Sequence, residues 1–280
     1  MQKRQFSAFR KPLSLRGVMA NDIKNIKDAV GSKRLCRCRL SCLSEGGYYY
    51  VLAANEYFFL AAREEDFMLN GYEIRLVSDL KEAEYVDSVI SDILTERGVP
   101  QGIVDPQIDL SSYSNIFGSL FFQNKMIFLE STDGERNFFD YGKILRVGRQ
   151  SLILLPFDEN GLWMEDVEVF YEDITGVTFG DRYNVVWQEY LERRAKRAKK
   201  DPVSFTVKLL AKWNPAGLKE DGLDPEFYRK DGETVCKLLK KSRSYPEFCL
   251  QFEKYFDGAY QSIKRECTIL ETLWLEVNGL

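Results

Sequence analysis

The sequence predicts an α+β protein in which a unit of one helix and five short strands occurs twice and is followed by an all-helical C-terminal part. Three observations carry this. Shifted by 94 residues the chain repeats its pattern, Asp79-Leu80 falling on Asp173-Ile174, Tyr85 on Phe179 and Asp87 on Asp181. Short apolar runs of strand length are separated by residue pairs with turn chemistry. From Phe205 onward that alternation gives way to helical spacing.

In the first copy the spacing predicts a helix over 23–30, then strands near 35–42, 48–54, 57–62, 72–76 and 81–85. Gly46-Gly47, Asn55-Glu56, Asn70-Gly71 and Ser78-Asp79 supply the turns between them. Val86, Val89, Ile90, Ile93 and Leu94 then follow a helical period, which Arg97-Gly98 and Pro100 stop. The second copy opens with an apolar helix over 113–122 and continues with strands near 126–130, 138–147, 152–157, 163–170 and 175–179. Tyr183, Val186, Trp187, Tyr190 and Leu191 form its closing helical stripe, which runs into Arg193, Arg194, Lys196, Arg197, Lys199 and Lys200 before Asp201-Pro202 ends it. Further helices are expected over 205–213, 232–241, 245–256 and 263–277.

A helix, five short strands and the closing residues Asp79-Leu80, Ala83, Tyr85 and Asp173-Ile174, Val177, Phe179 resemble two Sm-like barrels of SH3 type in tandem, as in bacterial proteins of unknown function. The resemblance implies two small β-barrels, each with flanking helices, before the helical domain. It also implies edges on the fourth and fifth strands through which such barrels close rings, or which a tandem pair satisfies within one chain. Trp213-Asn214-Pro215-Ala216-Gly217-Leu218 resembles the W-D-P-x-G-L turn of a family of small all-helical bacterial domains, with Asn214 in place of the aspartate. The expected division is a basic leader over 1–18, barrel units over 19–98 and 99–200, and a helical domain over 201–280; Met19 is an alternative start.

Composition narrows the chemistry. With no histidine, a Ser/His/Asp triad, a Cys/His pair and an H-E-x-x-H zinc site are all excluded. No phosphate loop or dinucleotide turn occurs, so no cofactor is expected and the chain reads as a binding protein rather than an enzyme. No apolar run has the length of a membrane span, and no secretory signal opens the chain, so the expected compartment is the cytoplasm with its six cysteines as free thiols. Cys36, Cys38 and Leu40 share one strand face with Cys42, which makes an apolar stripe rather than a metal site.

The net charge of -4 is unevenly distributed: residues 1–42 sum to +9, residues 43–190 to -17 and residues 191–280 to +4. Matched acidic turns, Glu64, Glu65, Asp66 and Asp158, Glu159, are candidate contacts for a basic protein partner. Lys33, Arg34, Arg37 and Arg39, with Arg193, Arg194, Lys196 and Arg197, are candidate phosphate contacts for RNA. The loops that hold a uridine in RNA-binding Sm proteins are short here, and Leu76 follows Arg75 where those proteins carry glycine. The leading expectation is a scaffold that engages a protein through its acidic barrels, homo-oligomeric assembly remaining open. An RNA-associated protein and an acidic immunity-type inhibitor of a basic toxin are the alternatives.

Overall fold

The structure is a computed structural model that describes residues 20–41, 46–131, 138–214, 224–256 and 267–279. The leader over 1–18, Cys42, the turn residues Pro215 to Leu218 and the first residues of the last expected helix lie outside the described residues. Two compact units are present. One comprises the described residues through Ile153 together with Glu168–Asn184; the other comprises Leu154–Val167 and the described residues from Val185 on.

The elements of the first copy are α1 (Ala20–Ala29), β1 (Cys36–Leu40), β2 (Gly47–Ala54), β3 (Phe58–Glu65), β4 (Met68–Leu76), β5 (Leu80–Tyr85) and α2 (Val89–Glu96). Those of the second are α3 (Tyr113–Phe122), β6 (Met126–Ser131), β7 (Phe138–Val147), β8 (Ser151–Pro156), β9 (Val167–Phe170), β10 (Gly176–Phe179) and α4 (Arg182–Lys200). They are followed by α5 (Pro202–Trp213), α6 (Arg229–Lys241), α7 (Tyr245–Tyr255) and α8 (Cys267–Asn278).

The expectation of two closed barrels is overturned. All ten strands belong to one open sheet in the order β5-β1-β2-β3-β4-β10-β6-β7-β8-β9. Each half keeps the order fifth, first, second, third, fourth, but neither closes on itself, because closure would need the outer edge of β4 to pair with β5. That edge is taken by β10, with Tyr72 opposite Phe179, Glu73 opposite Thr178, Ile74 opposite Val177 and Arg75 opposite Gly176. β10 in turn pairs with β6, and β5 pairs with β1.

A buried ionic network holds this seam. Cross-strand partners point to the same side of a sheet, so the pairs Arg75/Gly176 and Gly176/Glu130 put Arg75, Gly176 and Glu130 in one row across three strands. A Cβ at position 176 would stand 2.1 Å from Arg75 Nη1, so only glycine lets the guanidinium pass over β10. Arg75 thereby reaches Glu130 through both terminal nitrogens, and its Nε donates to Glu73 at 2.8 Å. Tyr49 Oη donates to Glu73 at 3.1 Å, and Arg63 donates to the other Glu73 oxygen at 3.2 Å. The two carboxylates raise the Arg75 pKa although burial alone would lower it, so Arg75 stays charged.

The sheet of the first half is covered on both faces. Tyr49 packs with Val51, Phe59, Cys36 and Cys38 against Ile26 and Ala29 of α1, while its neighbour Tyr50 packs on the opposite face with Leu35, Ala62 and Leu94 of α2. Consecutive tyrosines are therefore both buried, each in its own core. The alternation expected for Cys36, Cys38 and Leu40 is present, with Arg37 and Arg39 outward. Burial pushes the Cys36 thiol up to about 11, and Cys38 is raised further by the same cause, so neither is poised to be a thiolate.

Two local expectations are also corrected. Asn70-Gly71 lies within β4, and the hairpin turn falls at Asp66-Phe67, both with positive φ (51° and 61°), as a two-residue turn of the primed type requires. The Asn-Gly pair serves a close approach instead: Gly71 has φ 74°, a Cβ there would meet Asp181 N at 2.3 Å, and Asn70 Oδ1 accepts from Arg182 N at 2.9 Å. The fourth strand expected over 163–170 is limited to Val167–Phe170, while Trp163 makes a lone bridge to Phe157.

In the second unit, Leu209 and Leu210 of α5, Val235 and Leu239 of α6, Phe248 and Phe252 of α7 and Leu273 of α8 form one core with Leu162. Trp213 packs edge-on to Phe256 and against Phe252, which anchors the end of α5 in the helical core. Among the described residues no helix is long and apolar enough to cross a membrane.

Candidate functional site

The candidate contacts read from the sequence separate sharply once placed. Of the acidic residues, Glu64 is buried and accepts from Phe67 N at 2.8 Å, closing its own hairpin. Glu65 is engaged by Asn70 and lies 3.5 Å from Arg63. Asp158 Oδ1 accepts from Asn160 N at 2.9 Å and Leu162 N at 2.7 Å, the pattern of an Asx-type turn. Asp66 and Glu159 are exposed. Three of the five carboxylates thus shape the turns in which they stand.

The first basic segment is matched by its neighbour. The β1/β5 register sets Arg37 opposite Glu84 and Arg39 opposite Glu82, with ion pairs at 3.8 and 3.1 Å. Arg34 lies over the Tyr85 ring at 3.7 Å from its centroid and pairs with Asp87 at 3.4 Å. Such exposed pairs add about 1 kcal/mol or less each. Their consequence is electrostatic: the charge of Arg34, Arg37 and Arg39 is offset where it stands, and Lys33, exposed and with φ 57°, lies beyond the ladder.

The second basic segment has a different setting, inside the helical unit. Tyr190, Arg193, Arg194, Arg197 and Lys200 recur at intervals of three and four and so share one face of α4. Asp201 interrupts the helix and starts the next: its carboxylate accepts from Ser204 N at 3.0 Å, and Pro202 occupies the first turn of α5. On α5, Ser204, Phe205, Lys208, Leu209 and Lys212 again share one face. These two faces, Arg193 excepted, and the loop residues Asn160 and Leu162 line a cleft of about 620 Å³. That volume lies within the usual range for ligand sites, roughly 300 to 1,000 Å³.

The cleft is strongly cationic. Arg197, Lys200, Lys208 and Lys212 line it and have no acidic ion-pair partner among the described residues. The facing carboxylate, Asp201, is held below the usual aspartate range, chiefly by the hydrogen bonds of Ser204 and further by Arg229 and Lys208, so it remains ionised. Arg194 differs: its Nε donates to Glu276 Oε1 at 2.7 Å, and its terminal nitrogens hold Glu276 and the Gly161 carbonyl. Trp163 Nε1 donates to the same Glu276 oxygen at 3.0 Å, and Trp163 N donates to Thr272 Oγ1 at 2.9 Å. Arg194 is a wall of the cleft, locked in place from behind by α8.

Sequence reasoning singled out Arg194 and Arg197, which line the cleft, and Arg193 and Lys196, which do not; Arg193 borders a smaller separate hollow with Tyr190, Arg194 and Arg197. Lys200 stood in the basic run that ends α4, whereas Lys208 and Lys212 were missed as contacts. The available signal was the i, i+4 pair Lys208/Lys212 just beyond the Asp201-Pro202 break, because a helix break between two basic amphipathic faces can fold them toward one another. Among the described residues no group of three or more potential ligands could hold a metal ion. Compared with known proteins, the chain matches no family model and no curated sequence.

Proposed function

We propose that the chain is a cytoplasmic binding protein whose ligand is RNA, held by its phosphates in the cleft between α4 and α5. The observation that carries this reading is the convergence of Arg197, Lys200, Lys208 and Lys212 on one cavity whose described lining holds a single carboxylate, Asp201. Cations that outnumber the carboxylates of a concave site attract a polyanion and release its counterions, the main source of affinity for nucleic acids. The internal engagement of Glu64, Glu65 and Asp158, set against this excess of cations, favours an anionic ligand over a basic protein.

The test is the salt dependence of binding to a labelled single-stranded RNA, measured by fluorescence anisotropy. The logarithm of the association constant should fall linearly with the logarithm of salt concentration, and each of Lys200→Gln, Lys208→Gln and Lys212→Gln should reduce the slope by about 0.7. All three side chains are exposed, so the fold should tolerate the changes within about 0.5 kcal/mol. Binding that is absent, or a slope unchanged in the triple variant, would contradict the reading.

A further inference from the structure

The cleft is more than a charged surface, because its cations surround an aromatic and apolar interior. Tyr190 lines it and is 45 % exposed, while Phe205, Leu162 and Leu209 supply apolar wall. The Tyr190 ring is fixed from behind. Trp187 meets it edge-on with centroids 5.7 Å apart, and the Arg194 guanidinium lies 5.8 Å from its centroid, within cation–π range. Gly161, with φ 72°, backs the same ring: a Cβ there would stand 2.8 Å from Trp187 Cζ3 and 3.3 Å from Tyr190 Cε1. Because Glu276 holds Arg194, a chain of contacts from α8 through Arg194 keeps the ring in one orientation. A phosphate backbone alone has no use for a fixed, half-exposed ring beside buried leucines. An unpaired base does, since every base has a flat face that stacks on an aromatic side chain whatever its sequence.

We infer that the cleft takes a single-stranded segment of RNA, stacking an unpaired base on Tyr190 while the flanking phosphates lie against Arg197, Lys200, Lys208 and Lys212. This rests on the reading of the cleft as an RNA site and adds which form of RNA it accepts. In a duplex the bases are stacked on one another and only the backbone is presented, so a duplex engages the cations but not the ring. Tyr190 is then the residue that separates single strands from other polyanions.

The experiment compares a single-stranded RNA of about twelve nucleotides, the same sequence as a duplex, heparin and poly-glutamate, on the full chain and on Tyr190→Ala and Tyr190→Phe. Tyr190→Ala should weaken the single strand by about 5- to 150-fold, leave heparin and duplex binding unchanged, and be rescued by Tyr190→Phe, which keeps the ring. A 2-aminopurine placed within the strand should be quenched on binding to the parent chain and less so on the alanine variant. Equal weakening of all polyanions, or of none, overturns the inference while leaving the charged site intact. Poly-glutamate that displaces the single strand as effectively as unlabelled RNA overturns it in favour of an acidic protein. If the parent chain binds neither heparin nor RNA, the underlying reading of the cleft fails as well.

Discussion

Replacing Arg75 by alanine should lower the unfolding free energy by about 3–5 kcal/mol, the usual cost of removing one member of a buried ion network. The size follows from what is left behind. Arg75 is 2 % exposed and serves two carboxylates, Glu73 at 1 % and Glu130 at 8 %. Glu73 would keep Arg63 and Tyr49, but Glu130 would lose the guanidinium that meets both of its oxygens. An uncompensated buried carboxylate either remains charged at high cost or takes up a proton. Removing the charges together should do far less harm, so Arg75→Met combined with Glu73→Gln and Glu130→Gln should recover most of the loss. Urea unfolding followed by far-ultraviolet circular dichroism is the appropriate readout, because all four tryptophans, Trp163, Trp187, Trp213 and Trp274, lie in the other unit. A loss below about 1 kcal/mol for Arg75→Ala would mean that the seam between β4, β10 and β6 is held by backbone pairing alone.

The second large effect belongs to Glu276. Glu276→Ala should cost about 3 kcal/mol, because the buried Trp163 indole N–H and the Arg194 guanidinium share its Oε1 and would lose it together. Tryptophan emission should report this unfolding directly. Glu276→Gln keeps an oxygen at that position and should be much milder at neutral pH. Burial raises the Glu276 carboxyl above the ordinary glutamate range against the opposing pull of Arg194 and Trp163, and among the described residues its Oε2 has no hydrogen-bond partner. The folded state therefore holds this proton more tightly than the unfolded chain. The stability so contributed is fully present below the ordinary glutamate pKa and is lost as pH rises through the raised one. Relative to Glu276→Gln, the parent chain should gain stability between pH 7 and about pH 4.5; a difference that moves the other way would show that the Arg194 attraction outweighs burial.

Much of the local structure was legible in the sequence, and the reasons are specific. The apolar run of α3 and the ten residues of β7 have the bounds that their pattern predicts, since both are long and strongly patterned. Cys36, Cys38 and Leu40 alternate with arginines as a half-covered strand should. What failed was what depends on distant partners. Whether five bent strands close or stay open depends on which strand reaches the edge of β4, and that is decided by Arg75, Gly176 and Glu130, separated by up to 101 residues of chain. Asn70-Gly71 has the composition of a hairpin turn, but its freedom is used for close approach to Asp181. The cleft was half visible for a similar reason. The basic run on α4 is conspicuous, whereas Lys208, Lys212 and Tyr190 gain meaning only when α5 folds back beyond Pro202 and the loop at Gly161 packs behind the ring. Arg37 and Arg39 show the converse: conspicuous in sequence, they are answered by Glu84 and Glu82 four strands later in the chain, through the register of β1 with β5.

RNA binding in the cleft is tested most directly by photocrosslinking of the full chain to a single-stranded RNA carrying 4-thiouridine, with the modified residues located by mass spectrometry. Crosslinks are expected on Tyr190 and on the α5 peptide containing Phe205, lost when unlabelled RNA competes and reduced at high salt. Crosslinks confined to exposed aromatics elsewhere, such as Phe122 or Phe139, with none around the cleft, would contradict it.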